Sequence, residues 1–191
     1  MFRKGYAVRN VILINGVPAS GKSTVTTALV QHLTTAGIPV VPFTLDTVKE
    51  CLYDHVGVGD RDHNRMLGRA SYQSIFASIG AFPEELVPVI DAWHGFLPIE
   101  TLREHLIGAE ITRVIEVWCK VSPKVAAERY RKRARQRTRG HPPASYASEL
   151  YDLASVAHPL SLGPVVQVDT ERPIDLEAFV KVQSLLRDDS V

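Results

Sequence analysis

The sequence predicts an α/β fold of three layers, α/β/α, with helices on both faces of a mostly parallel sheet of about five strands. Three observations predict it. Short apolar runs alternate with helix-period segments along the whole chain, the pattern left by strands joined through crossover helices. A glycine-rich octapeptide, Gly16-Val17-Pro18-Ala19-Ser20-Gly21-Lys22-Ser23, stands directly between the first apolar run and the first helical pattern. The 191 residues, 45% hydrophobic and 23% charged, contain no repeat, linker or low-complexity tract. One domain over residues 1–191 is therefore expected, large enough to bury a core without disulfide or metal staples.

The first strand is expected over Asn10–Asn15 around Val11-Ile12-Leu13-Ile14, and the first helix over Lys22–Thr35, with Val25, Ala28, Leu29 and Leu33 inward and Ala36-Gly37 as its stop. Ile38–Phe43 reads as a second strand at or near an edge, because Pro39 and Pro42 cannot donate to a ladder. A short helix, Thr47–Tyr53, and a Gly/Asp-rich turn follow, then a helix over about Asn64–Ala81 with Met66, Ala70, Ile75 and Ile79 inward. That segment is rich in small residues and reads equally as a movable substrate-side flap. Leu86–Asp91 is the candidate third strand, against which Pro88 counts. Leu97–Leu106 carries a helix pattern, and Ile111–Val121 alternates as a strand before Ser122-Pro123, an N-cap and a first-turn proline. Helices over Lys124–Arg139 and Ala144–Val156, a strand over Val165–Asp169 and a helix over Asp175–Leu186 complete the chain; Leu176, Phe179, Val180 and Leu186 are expected inward in the last.

The net charge is +1, so no bulk attraction to nucleic acid or an anionic membrane is expected. Cys51 and Cys119 have no metal or redox spacing and read as buried small apolar residues. Met1-Phe2-Arg3-Lys4 is basic, but the apolar run behind it is too short for a signal segment or a span. These features predict a cytoplasmic protein, a monomer or homodimer.

The octapeptide has the form Gly-x-x-x-x-Gly-Lys-Ser with strand before and helix after, the context that gives this spacing meaning. Its glycines permit turn conformations in which successive N–H groups face an anion, and the helix N-terminus behind them favours negative charge. Gly16, Ala19, Ser20 and Gly21, with Lys22, Ser23 and Thr24, are thus candidate phosphate-binding residues for ATP. Lys22 would reach the β- and γ-phosphates, and the Ser23 hydroxyl would ligate Mg²⁺.

Asp46 follows the second strand at the sheet edge where α/β proteins bind ligands, so it is a candidate base for an attacking hydroxyl. The same residue reads as a helix N-cap, and both roles can coexist. Lys49 and Glu50 read as a solvated helix face. Asp91 ends its strand where a carboxylate holds Mg²⁺ or contacts the acceptor together with Trp93 and His94; a plain turn aspartate is the bland alternative.

Residues 128–139 hold seven basic side chains in twelve. On one helix Arg129, Arg133 and Arg137 would share a face, with Arg131, Arg135 and Arg139 about 200° away. Such crowding is costly without anions, and a triphosphate supplies them. The segment, about 124–143, therefore reads as an Arg-rich lid over ATP, in preference to a solvated helix or an RNA-binding face lacking aromatic platforms. Asp169 and Thr170 would border the nucleotide base.

Taken together, these residues resemble the P-loop NTPases, and within them the small-molecule kinases of nucleoside-monophosphate-kinase-like fold, in the chloramphenicol phosphotransferase-like and zeta-toxin-like branch. The resemblance rests on Gly16–Ser23, Asp46, the Glu128-Arg129, Arg133 and Arg137 series and Val168-Asp169-Thr170, and covers about residues 10–171. It implies ATP-dependent phosphorylation of a small hydroxylated acceptor such as an antibiotic, a sugar or another metabolite. In it Lys22, Arg133 and Arg137 act on the phosphates and Asp46 serves as base. A nucleotide-sugar or nucleoside kinase shares that chemistry, and a nucleotide-dependent switch is the alternative of another class. Only Arg61, Arg65 and Arg69 are basic where nucleotide kinases line a monophosphate pocket, which disfavours a phosphorylated acceptor.

Overall fold

The computed structural model describes residues 8–188. The expectation about Met1–Lys4 concerns residues outside these. Five strands, β1 (Asn10–Asn15), β2 (Val40–Thr44), β3 (Val87–Asp91), β4 (Arg113–Lys120) and β5 (Val165–Asp169), form one all-parallel sheet in the order β2-β3-β1-β4-β5. Parallel strands need crossovers, supplied by α1 (Lys22–Thr35), α2 (Leu45–Val56), α3 (Arg61–Gly80), α4 (Ile99–Gly108), α5 (Pro123–Ala134) and α6 (Ala147–Val156); α7 (Leu176–Arg187) closes the described chain. The α/β/α expectation holds. In register, Ile14 of β1 lies beside Asp91 of β3 and Val117 of β4, and Thr44 lies beside Asp91, so the carboxyl ends align along one edge.

Strand alternation sorts the core. Ile12, Ile14, Val89, Ile115 and Val117 meet Val25, Leu29 and Leu33 of α1 and Phe179 and Val182 of α7. Val11, Leu13 and Ile90 face the other way, onto Tyr72, Ile75, Phe76 and Ile79 of α3 and Leu102 and Leu106 of α4. A third cluster joins Val17 to Ala126, Ala127 and Tyr130 of α5 and to Ala147 and Leu150 of α6, tying these two helices to the glycine-rich loop. Leu29 is fully buried in the first cluster. Leu29→Ala is expected to lower unfolding free energy by about 2–5 kcal/mol, read as an earlier midpoint in urea with an unchanged slope.

Several local expectations are corrected. Pro88 lies within a strand paired on both sides, yet it precedes the first β1 pair, Ile12 with Val89, so its missing N–H falls at the end of that ladder. On α3, Ile75 and Ile79 point inward as expected, but Met66 and Ala70 point outward and Leu67 and Ser71 take the inner positions one step on. On α7, Leu176 and Val180 are exposed and Val182 takes the inner position. Cys51 is exposed; only Cys119 is buried. Asp46 is not an N-cap, because α2 begins at Leu45 with Thr44 in the cap position.

The basic helix stops at Ala134, not Arg139. Like charges crowd its end, and Gly140, Pro142 and Pro143 follow, so helix gives way to a segment that folds back toward α2. A further 3-10 turn, Ala144–Tyr146, precedes α6. Among the described residues, no helix is long and apolar enough to cross a membrane.

Candidate active site

The sheet order reverses at β1, and the carboxyl end of that strand opens into the loop Gly16–Ser23. Gly16 has φ 151°, and a Cβ there would stand 2.5 Å from Ser20 Oγ and 2.9 Å from the Cys119 carbonyl oxygen. No larger residue fits at that turn. Ala19 and Gly21 are also left-handed, so the loop curls back before α1 begins at Lys22. The Lys22 ammonium donates to the carbonyls of Gly16 (2.9 Å) and Val17 (3.1 Å) across the mouth of the loop. Burial pulls its pKa down, while Asp91, then Cys119 and Asp46, pull it back.

Asp91 is 4% exposed, and its Oδ2 has no hydrogen-bond partner. Burial raises its pKa, against the opposing pull of Lys22 and the Ser23 hydroxyl. Asp46 lies in the first turn of α2, where the helix N-terminus favours its charge. Its Oδ2 accepts from Arg137 Nη2 at 2.7 Å, and Oδ1 lies 3.8 Å from Lys49 Nζ. Burial alone would raise the Asp46 pKa, but Arg137, then Lys49, His141 and Lys22, hold it below the usual carboxylate range.

Two clefts meet at the loop. The larger, about 660 Å³, is lined by Arg129, Lys132, Arg133, Thr170 and Ile174 beside Ala19, Gly21 and Thr24. The smaller, about 400 Å³, is lined by Lys22, Ser23, Asp46, Asp91, Trp93 and Arg137 and walled by Phe96, Tyr130 and Tyr146. Ala19, Gly21, Thr24 and Arg133 line both. Most of the residues singled out in sequence are thereby brought together, from four separate strand ends and from α5. Gly16, Ser20 and Asp169 line neither cleft, whereas Arg129 lines the larger one. Ser20 lies wholly buried beneath the loop. Arg129 is engaged by Thr170, donating to its hydroxyl (3.2 Å) and carbonyl (2.7 Å). Asp169 is absent from both linings and accepts instead from the Glu171 N–H at 3.0 Å.

Sequence reasoning missed the outer wall. Residues 137–143 fold over α2 and α3: His141 Nε2 meets Glu50 Oε1 at 2.6 Å, and the Gly140 carbonyl accepts from Asn64 Nδ2 (2.7 Å) and the Tyr53 hydroxyl (3.2 Å). Tyr130 donates to the Pro142 carbonyl at 2.7 Å. Lys49 and Glu50, read as a solvated face, line the smaller cleft. The one available signal was Gly140 followed by two prolines, which marks a break in the basic helix. His94 is a core residue: it is 1% exposed, its Nδ1 meets the Tyr72 hydroxyl at 2.6 Å, and burial pushes its pKa down to about 3.

A family model described as AAA domain matches residues 11–147, well over half of the chain. The chain belongs to this family. No curated protein matches the sequence. Among solved structures, a candidate kinase from Chloroflexus aurantiacus J-10-fl is 25% identical to this AAA-domain protein, with a TM-score of 0.73 over 94% of this chain and 98% of that one. The APS kinase of Mycobacterium tuberculosis, in complex with AMPPNP and APS, is 18% identical, with a TM-score of 0.61 over 95% and 99% of the two chains. The shikimate kinase of Acinetobacter baumannii, in complex with shikimate, is 16% identical, with a TM-score of 0.60 over 96% of each. These likenesses establish the P-loop kinase fold of the AAA-domain chain.

Proposed function

We propose that the protein is an ATP-dependent phosphotransferase that moves the γ-phosphate of ATP to a hydroxyl of a small molecule. The observation that carries this reading is the pair of clefts meeting at one phosphate cradle, with Lys22, Asp46 and Arg137 lining the smaller and Arg133 lining both. The larger cleft takes the nucleoside, with Arg129 and Thr170 on its border. The smaller, about 400 Å³, takes the acceptor. The fold shared with nucleotide-bound and acceptor-bound kinases supports it. An antibiotic, a sugar or another metabolite suits the acceptor cleft, as the chloramphenicol phosphotransferase-like and zeta-toxin-like branch implies.

The acceptor oxygen attacks the γ-phosphorus while the bond from that phosphorus to the bridging oxygen breaks, leaving ADP. Asp46, ionised before the reaction, orients the hydroxyl and takes its proton late, becoming the neutral acid, since an alcohol is far too weak an acid to ionise first. Lys22 and the N-terminus of α1 face charge on the β- and γ-phosphates, and Arg133 and Arg137 face the transferring group. Two donors fit Mg²⁺: the unpartnered, buried Asp91 Oδ2 and the Ser23 hydroxyl beside it. When bound there, the ion neutralises phosphate charge. Trp93 borders the acceptor.

The segment 124–143 acts as an arginine-bearing lid, its outer half seated on α2. Gly140 has φ 104°, and a Cβ would stand 2.7 Å from the Tyr53 ring. Gly140→Ala is therefore expected to lift this segment, raising the acceptor KM about five- to tenfold while Mg·ATP affinity holds. Asn64→Ala, lacking the donor to the Gly140 carbonyl, should shift the acceptor KM in the same direction.

We place the enzyme as one domain in the cytoplasm, a monomer or homodimer, with neither nucleic acid nor membrane as partner. The test supplies Mg·ATP with a panel of hydroxylated compounds and looks for phosphorylated product. ADP formation at one rate whatever compound is supplied contradicts the reading.

A further inference from the structure

Behind the cradle lies a buried polar chain that the proposed reaction does not use. Asn15 is the last residue of β1 and is fully buried. Its Oδ1 accepts from two backbone N–H groups, Gly16 at 2.8 Å and His94 at 3.1 Å. Its Nδ2 donates to Glu116 Oε1 at 2.7 Å. Glu116, 1% exposed on β4, also accepts from the N–H of Leu160 (3.0 Å) and of Ser161 (2.9 Å). The amide of Asn15 has one orientation that satisfies every partner: two N–H donors fix its oxygen and a carboxylate fixes its nitrogen.

Gly16 opens the phosphate cradle, and His94 follows Trp93 in the segment leaving β3 just past Asp91. One side-chain oxygen thus ties the start of the nucleotide loop to the segment that carries the acceptor wall. Glu116 in turn moors that side chain to the connection between α6 and β5. We infer that Asn15, braced by Glu116, is a positioning residue that sets the phosphate cradle against the Asp91–Trp93 segment. It acts through Gly16 and His94, touching no substrate. A buried charged acceptor is needed because the Asn15 amide must be held one way round, and a carboxylate accepts the Asn15 amide and two N–H groups at once.

The inference rests on the phosphotransferase reading for its nucleotide arm alone, so two measurements are paired. Amide hydrogen exchange reads the tether directly: Asn15→Ala should speed exchange at both Gly16 and His94. Calorimetry with Mg·ATP reads its consequence: Asn15→Ala should weaken binding about tenfold, the size expected from one lost buried hydrogen bond. Phe179→Ala, in the distant core, should lower stability and leave both readings alone. Asn15→Asp keeps an oxygen that accepts from both N–H groups but sets a second carboxylate against Glu116, and should weaken binding further. Adding Glu116→Gln to it supplies a donor again and should recover part of the loss, a rescue that separates positioning from general damage. Unchanged exchange at both amides in Asn15→Ala overturns the tether whatever the nucleotide does. Changed exchange with unchanged Mg·ATP affinity overturns its role in positioning. A wild-type protein that binds no Mg·ATP sinks the phosphotransferase reading instead, and leaves exchange to decide the tether.

Discussion

Lys22→Ala is expected to lower phosphoryl transfer by about 10²–10³-fold, the range seen when one preorganised donor to developing charge is removed. The ammonium is positioned by two carbonyls of its own loop and lies near Asp91, so alanine leaves phosphate charge and the Asp91 carboxylate without it, while Asp46 keeps Arg137 and Lys49. The fold should survive, because the hydrophobic contacts of α1 run through Val25, Leu29 and Leu33 and not through Lys22. Circular dichroism and a urea titration check that point, and calorimetry with Mg·ATP should show weakened binding beside the lost rate.

Asp46→Asn should lower the rate by about 10²–10⁴-fold, the usual worth of a positioned general base, with Mg·ATP affinity retained. The pH dependence follows from the charges around the carboxylate. Burial opposes ionisation, but Arg137, Lys49, His141 and Lys22 outweigh it and depress the pKa of Asp46. The base therefore stays ionised from neutral pH down past about 4, the ordinary carboxylate value, and the rate should not fall through loss of this base until the solution is more acid still. Stability has the same sign. A depressed folded pKa contributes stability above the unfolded value and loses it as pH falls through the folded value. The gap in urea midpoint between wild type and Asp46→Asn should therefore be open at neutral pH and close in acid. A base limb near pH 6 in kcat that disappears in Asp46→Asn would contradict this placement.

The fold was legible where local chemistry and tertiary burial agree. Val11–Ile14 reads as a strand because it is buried on both faces, and Gly16–Ser23 reads as a turn because its glycines take φ values closed to other residues. Amphipathic phase was legible for α1 and for Ile75 and Ile79 of α3, and misread in the first half of α3, where Met66 and Leu67 are both apolar and only packing decides which turns in. Pro88 misled for a related reason: propensity counts the missing donor, whereas register places it before the first β1 pair. In the site, residues close in sequence to a strand end were found, since the topology of a parallel sheet carries them to one edge. Asp46 and Asp91 are examples. Arg137 was named, but the outer wall was not found, because Arg137, Gly140 and His141 reach Asp46, Asn64 and Glu50 across 76 to 91 residues, where the sequence pattern suggests a continuous basic helix.

Transfer of label from γ-labelled ATP into a metabolite extract, followed by identification of the labelled product, tests the central claim most directly. Wild-type protein should place the label on one hydroxylated small molecule, and Asp46→Asn, still binding Mg·ATP, should place almost none. Label released only as inorganic phosphate, at the same rate from both proteins, would contradict it.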